Sequence, residues 1–336
     1  MQSSAPLKAF VFGKFMPFHK GHEQLINFAR QHCDHLTVLL CVSDQEALPA
    51  EVRQAWLRET YAGQPDVEIQ VLEYLESELP NTSETSLAVS EVWADVFSRL
   101  LPECRLVITS EPYGELVAAR MGIRYLLFDE ARGIVPVSAS AIRRNPAAHW
   151  QFLPASVKPY YVRKVVILGA ESTGKTVLAN QLAAHFHASL VAEAGRDLIA
   201  SSDSFSLADL HAVAQEHARR IRQAQTGSSP LLIIDTDVHI TLSYAQLMFG
   251  QELPVPPEIY ALNRADLYLY LSPDVPFVQD GTRLSATDRL RLDASHRATL
   301  RRYNVPVVEI SGSWEVRLQQ AIRQVEVLLR TTLPGR

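Results

Sequence analysis

Short apolar runs alternate with amphipathic stretches along the whole chain of 336 residues. That alternation is the pattern of β/α units laid over a parallel sheet. In the first half, the runs Ala9–Phe12, Leu36–Val42, Val67–Leu72, Leu106–Thr109 and Tyr125–Phe128 have strand length. Helical spacing is read over Gly21–Gln31 and Thr82–Leu101, and in the latter Leu87, Val92, Trp93, Val96 and Phe97 make a stripe expected to face a core. The pattern breaks at 150–163, where Trp150, Phe152, Pro154 and Pro159 punctuate the chain. This is no Gly/Ser linker, so a short, stiff join between touching domains is expected. The alternation then restarts, with strands predicted at Lys164–Leu168, Leu231–Ile234, Leu267–Leu271 and Val305–Ile310 and helices at Lys175–Phe186 and Glu315–Leu329. The expectation is an α/β protein of two domains, 1–155 and 156–336, without a visible repeat between them.

Composition narrows the class. Hydrophobic residues make up 47% and charged residues 21%, an ordinary globular mix. Lys and Arg total 32 against 37 Asp and Glu, and the net charge of −5 gives no support to nucleic-acid or polybasic membrane binding. No run approaches the roughly 18–20 apolar residues of a membrane span. Met1–Lys8 lacks the layout of a signal peptide. The three cysteines, Cys33, Cys41 and Cys104, are scattered and odd in number, with no CxxC pair. They read as buried free thiols in a reducing, cytoplasmic setting.

Two segments carry phosphate chemistry. Gly169-Ala170-Glu171-Ser172-Thr173-Gly174-Lys175-Thr176 fits G-x-x-x-x-G-K-[ST] in full, between an apolar strand and a helix. There, backbone N–H groups would cradle the phosphates of ATP, Lys175 would neutralise the transferring group, and the Thr176 hydroxyl would ligate Mg²⁺. Downstream, Leu231–Ile234 runs into Asp235, and Asp237 follows two residues on, so an extended chain would aim both carboxylates the same way. One would organise the metal and one serve as base, with the assignment open. Further on, Asp280-Gly281-Thr282-Arg283 with Asp288, Arg289 and Arg291 suits a lid, in which an arginine such as Arg283 would stabilise the moving phosphoryl group.

The other segment is Gly13-Lys14-Phe15-Met16-Pro17-Phe18-His19-Lys20-Gly21-His22. A strand feeds a loop with two histidines three apart, and Gly21 lets backbone approach a ligand at a helix start. His19 and His22 can both donate to phosphate oxygens. No nearby third ligand supports zinc there. A matching piece is Val137-Ser138-Ala139-Ser140-Ala141-Ile142-Arg143, in which Ser138, Ser140 and Arg143 make a second phosphate grip at a probable helix start.

The histidine loop with Ser138–Arg143 resembles the HxGH nucleotidylyltransferases and their (S/T)-x-x-(S/T)-x-I-R signature. Followed by a P-loop kinase segment, it resembles the NadR family of NAD-synthesis proteins. The likeness extends through Ser110-Glu111-Pro112, Asn145-Pro146, Trp150, Lys158-Pro159, Val162-Arg163, Asp235-Thr236-Asp237 and Asp280-Gly281 with Arg283. It implies a Rossmann-like adenylyltransferase domain before a ribosylnicotinamide kinase domain. It implies phosphorylation of nicotinamide riboside to the mononucleotide (NMN), then adenylyl transfer from ATP giving NAD and pyrophosphate. By this likeness His19, His22, Ser138 and Arg143 would grip ATP phosphates and Lys14 would lie near the reacting groups.

Two departures stand out. Few residues precede the first strand, so the DNA-binding helix-turn-helix of some family members has no visible platform and no nucleic-acid partner is expected. Where the family carries Trp-Glu-Tyr-Gly-Arg, this chain reads Ala192-Glu193-Ala194-Gly195-Arg196. Glu193 and Arg196 remain to bind substrate, but both rings that would stack on a nicotinamide are gone, unless Tyr244 or Tyr260 replaces them. Two alternatives therefore stay open: the same two-domain enzyme acting on another nucleoside or phosphometabolite, and a nucleotide sensor with little turnover. No membrane partner is expected, and oligomeric state is left open, a homo-oligomer included.

Overall fold

The computed structural model describes residues 5–80, 86–199, 205–274 and 286–331. The chain divides into two compact units after Tyr160. The first is built from β1 (Lys8–Gly13), α1 (Lys20–Arg30), β2 (His35–Ser43), α2 (Ala50–Tyr61), β3 (Val67–Tyr74), α3 (Leu87–Leu100), β4 (Leu106–Thr109), α4 (Tyr113–Met121), β5 (Arg124–Leu127) and α5 (Ala139–Arg144). Its five strands are all parallel in the order β3-β2-β1-β4-β5. Such an order reverses direction between β1 and β4, and the crevice beyond the carboxyl ends of those strands is where open α/β sheets bind ligands. Phe10, Leu39, Phe97, Val107 and Val117 fill the core on one face of this sheet.

The short α6 (Lys158–Tyr161) leads into the second unit. There follow β6 (Arg163–Gly169), α7 (Lys175–Phe186), β7 (Ser189–Val191), α8 (Gly195–Leu198), α9 (Leu207–Gln225), β8 (Leu231–Asp235), α10 (Val238–Phe249), α11 (Pro257–Asn263), β9 (Leu267–Leu271), α12 (Ala286–Arg302), β10 (Val308–Ile310) and α13 (Trp314–Arg330). Its sheet is also parallel, ordered β10-β9-β6-β8-β7. The phosphate loop thus leaves the central strand, with β8 on one side and β9 on the other. Val165, Ile167, Leu178, Leu182, Ile233, Leu269 and Val325 pack the core between sheet and helices.

The stripe expected along α3 is only partly core-facing. Phe97 is buried together with Ser90 and Ala94, while Leu87 is 60% and Val92 40% exposed. Val92 sits across the helix from Ser90 and Ala94, and Leu87 lies in the first turn. Residues 82–85 of that expected helix lie outside the described residues. Helices α2 and α9 to α12 add to those read from the sequence.

Candidate active sites

In the first unit the site is built where β1 ends and α1 begins. His19 is the N-cap of α1, and its Nδ1 accepts the Gly21 N–H at 3.1 Å. That bond assigns the proton of neutral His19 to Nε2, leaving a donor free for a ligand. His22 stacks on His19 with ring centroids 3.7 Å apart, and its Nδ1 is buried with no hydrogen-bond partner among the described residues. The family-like glycine now has a reason: a Cβ at Gly21 would come within 2.9 Å of the His19 ring. Burial, then the charge of Arg132, pulls His19 down to about 4. Burial, then His19 and Arg132, holds His22 well below the ordinary histidine value. Both rings are neutral near pH 7, so each can offer an N–H donor rather than a positive charge.

The second grip closes on the first. Ser138 is the N-cap of α5 and accepts the Ala141 N–H at 3.1 Å. Arg143 donates Nη1 to the Met16 carbonyl and Nη2 to Ser140 Oγ at 3.1 Å. The histidine loop and the serine–arginine helix, separated by more than a hundred residues, are therefore one site. Lys14 pairs with Glu46 at 2.9 Å. Behind it, the fully buried Arg53 pairs with the same carboxylate at 2.7 Å and donates to the Lys14 carbonyl at 3.0 Å. Arg53, Glu46 and Arg132 were not read from the sequence. Arg53 did leave a signal: it occupies the buried face of α2 with Trp56, Leu57 and Tyr61, where helical spacing calls for an apolar side chain.

In the second unit, residues 169–176 form a loop with Gly169, Ser172 and Gly174 at positive φ. Successive turns of this hand aim backbone N–H groups into one concavity. Lys175 folds back so that Nζ donates to the Ala170 carbonyl at 3.1 Å. Thr173 Oγ1 donates to the same carbonyl at 2.7 Å. The Thr176 hydroxyl donates to Asp235 Oδ2 at 2.5 Å. Asp235 Oδ1 is buried with no hydrogen-bond partner among the described residues. Burial raises the Asp235 carboxyl above its usual range, against the opposing Thr176 hydrogen bond and Lys175 charge. Glu193 adds to the rise and Arg196 opposes it, which places the Glu193–Arg196 pair, joined at 2.9 Å, within electrostatic reach.

Asp235 and Asp237 do not face the same way, as an extended chain would require. Thr236 between them has φ +65° and breaks the extension. Asp237 instead caps α10, accepting the His239 N–H at 2.9 Å and pairing with His239 Nδ1 at 2.6 Å. Burial pulls His239 down, but Asp237, by charge and hydrogen bond, raises it above its ordinary value. The lid arginine Arg283, with 280–282, lies outside the described residues. Of the two substitute rings, Tyr244 donates to the loop residue Glu171 at 3.3 Å. Tyr260 stacks on Tyr303 at 5.9 Å beside His239. Ala194 is buried.

Arg317 is a further residue missed from sequence. It is 1% exposed and donates to the carbonyls of Thr173 (2.9 Å), Gly312 (2.9 Å) and Ser272 (2.7 Å), and it also pairs with Asp274. It shares the buried face of α13 with Ala321, Ile322 and Val325, the same signal as Arg53. Among the described residues no three His, Cys, Asp or Glu side chains cluster to hold a metal by themselves. Mg²⁺ seldom needs that: it takes one or two protein oxygens and fills the rest with water and phosphate. The buried, unpartnered Oδ1 of Asp235 beside the Thr176 hydroxyl fits such an ion. No described helix is long and apolar enough to cross a membrane.

Residues 10–145 match the cytidylyltransferase-like family model, and residues 164–317 match the AAA domain model. The chain is 31% identical over 305 residues to the trifunctional NAD biosynthesis/regulator protein NadR of Escherichia coli, an overlap of 83% of this chain and 72% of that protein. The NadR protein of Salmonella typhimurium is 28% identical over 346 residues, spanning 95% of this chain and 82% of that protein. Among solved structures, a NadR protein in complex with NR superposes with TM-score 0.71 and 22% identity, covering 98% of this chain and 99% of that one. A NadR protein in complex with NAD and AMP-PNP gives TM-score 0.69 and 21% identity, covering 99% of each chain.

Proposed function

The chain belongs to the NadR family, and from that premise we propose that it makes NAD in two phosphorus-transfer steps. In the second unit, the 5′-hydroxyl oxygen of nicotinamide riboside attacks the γ-phosphorus of ATP. The bond to the β-phosphate oxygen breaks, ADP leaves and the hydroxyl proton is released. In the first unit, a phosphate oxygen of NMN attacks the α-phosphorus of a second ATP, and pyrophosphate leaves. Neither step needs a covalent enzyme intermediate, so positioning and charge stabilisation carry the catalysis.

The observation that carries this reading is the convergence of each phosphate grip at its own sheet. Arg143 reaches the loop of His19 and His22, and Asp235 reaches the Thr176 of the other loop. In the kinase unit Lys175 would leave the Ala170 carbonyl for the γ-phosphate. The loop N–H groups from Gly169 to Gly174 would hold the β-phosphate. Thr176 and Asp235 would hold Mg²⁺, which supplies countercharge to the phosphates. Glu193 and Arg196 would take the riboside hydroxyls, and Tyr244 would face the base in place of the rings absent at 192 and 194. In the adenylyltransferase unit, His19 and His22 donate neutral N–H bonds to the triphosphate, Ser138 and Ser140 line it, and Lys14 and Arg143 supply positive charge. A reducing cytoplasm suits the three free thiols.

A second reading keeps the kinase chemistry but changes the nucleoside, on the ground that Ala194 is buried and Ala192 offers no ring. The test supplies Mg·ATP with nicotinamide riboside or with NMN and reads products by mass spectrometry. Mononucleotide from the first and NAD plus pyrophosphate from the second are expected. NAD without riboside phosphorylation favours the second reading, and no product from either overturns the first reading and favours a nucleotide sensor with little turnover.

A further inference from the structure

An unused aromatic ring stands at the phosphate loop. Trp314 opens α13, follows the N-cap Ser313, and is 53% exposed. A lone exposed tryptophan needs no explanation, but this one is wedged. Gly174 has φ +88°, and a Cβ there would fall 2.2 Å from the ring, so the ring edge lies directly against the loop backbone. The Arg317 guanidinium lies over the ring, 5.5 Å from its centroid. Arg317 is itself fixed by the carbonyls of Thr173, Gly312 and Ser272 and by Asp274. Loop, tryptophan and buried arginine thus pack as one unit, with Trp314 still 53% exposed as a residue.

We infer that Trp314 is the stacking platform for the adenine of the ATP held by this loop. The inference rests on reading residues 169–176 as an ATP site. Gly174 caps α7, so phosphates seated on the loop and helix N-terminus leave the rest of the nucleotide to run outward over the adjoining surface. A flat π-face fixed beside Gly174 suits a purine, because base–aromatic stacking needs only a matching plane. The two rings at the loop then have separate tasks: Tyr244 bonds to Glu171 and serves the phosphoryl acceptor, while Trp314 abuts Gly174 and serves the donor. Stacking recognises a base more than it selects one, so ATP and GTP should be discriminated only weakly.

The test uses the full chain. Tryptophan emission of the wild type minus that of Trp314→Phe isolates this ring from the other three tryptophans. Titration with Mg·ADP should quench the difference signal saturably, whereas Mg·tripolyphosphate, which has no base, should not. Trp314→Ala should raise the ATP KM of phosphoryl transfer roughly tenfold or more, with kcat and the adenylyl-transfer KM unchanged. Trp314→Phe should recover most of that affinity. Equal responses to the two ligands, or no response to Mg·ADP while riboside is phosphorylated, would overturn the inference and leave the kinase reading standing. A Mg·ADP quench without riboside phosphorylation would support the ring's role and move the substrate question to another nucleoside. No Mg·ADP quench and no phosphorylation would remove both.

Discussion

The two proposed phosphate grips are built from different parts of the polypeptide. In the second unit the backbone makes the cradle: Gly169, Ser172 and Gly174 turn N–H groups inward, and side chains such as Lys175 complete it. In the first unit side chains make the cradle: two stacked histidines on a helix start and an arginine from a distant helix. A backbone cradle needs contiguous residues, so its whole pattern sits in eight positions. A side-chain cradle is assembled from separated segments and exists only once the sheet has formed. Each has an arginine buried behind its loop, Arg53 bonding to the Lys14 carbonyl and Arg317 to the Thr173 carbonyl. Burying a guanidinium is costly unless its donors are met. All three nitrogens of Arg317 are bonded, whereas Nε and Nη2 of Arg53 have no hydrogen-bond partner among the described residues and only its Nη1 holds the loop carbonyl and Glu46.

The largest effects should come from splitting the two sites. Lys175→Ala should lower phosphoryl transfer about 10³-fold and leave adenylyl transfer unchanged. His22→Ala or Arg143→Ala should do the reverse, by about 10²- to 10³-fold. Parallel assays of both half-reactions on each variant decide the matter, with circular dichroism checking the fold. Loss of both activities from one folded variant would contradict two independent sites.

A smaller effect separates the two aspartates. Asp235→Asn keeps the Thr176 hydrogen bond but removes the charge that fits Mg²⁺, so phosphoryl transfer should fall about 10²-fold and demand more Mg²⁺. Asp237→Asn keeps an N-cap acceptor and loses the pairing with His239, so it should cost about 1–2 kcal/mol of stability with little change in kcat. Magnesium titrations and urea unfolding distinguish these outcomes. A kcat collapse in Asp237→Asn would restore that residue to the chemistry.

Gly21→Ala should act through geometry alone. The added Cβ would meet His19 Cε1 at 2.9 Å and Nδ1 at 3.0 Å, so the ring must turn away from the Gly21 N–H it accepts. A misplaced phosphate donor costs about 10- to 100-fold in adenylyl transfer, while phosphoryl transfer should not change. Unchanged adenylyl transfer in this variant would mean that the orientation of His19 is not needed.

How far the sequence reached follows the same division. β4, α7 and β9 agree with their sequence ranges, because a strand feeding a glycine loop and an apolar-striped helix is a local pattern. The phosphate-loop motif lies in one such local pattern, while the histidine loop and the Ser138–Arg143 segment are two separate local patterns that the fold joins through the Arg143 bond to the Met16 carbonyl. What was not legible depends on three-dimensional placement. The φ of +65° at Thr236 turns Asp237 away from its neighbour, and nothing in Asp-Thr-Asp announces that turn. Arg132 reaches the histidines electrostatically from an exposed loop after β5, with no motif around it. Arg53 and Arg317 were legible in principle, since each breaks the apolar face of its helix. Helix α9 was too, through its Ser206–Asp209 capping box and buried Leu210, Ala214, Ala218 and Ile221. That face also carries His217 and Gln225 beside its two alanines, which blurs the stripe.

The smallest expected effect concerns protons. His19 has an ordinary value of 6.5 and is pulled down to about 4 in the folded chain by burial and then by Arg132. The unfolded chain therefore binds more protons than the folded one as pH falls through 6.5, and stability declines from there toward 4. For His19 the decline amounts to ~1 kcal/mol between pH 6.5 and 5.5. His22, held well below its ordinary value, pulls in the same direction. His239 pulls the other way: its raised value contributes stability that is present below 6.5 and lost as pH rises through the folded value. His19→Asn retains an N-cap acceptor and cannot titrate, so urea unfolding should show a shallower acid decline for this variant than for the wild type. An unchanged slope would mean that His19 titrates normally. Triphosphate bound to the histidines should raise both toward their ordinary values, so binding near pH 5.5 should take up a fraction of a proton. In the backbone cradle the donors are amides that cannot titrate, so nucleotide binding there should lack this contribution from the cradle itself.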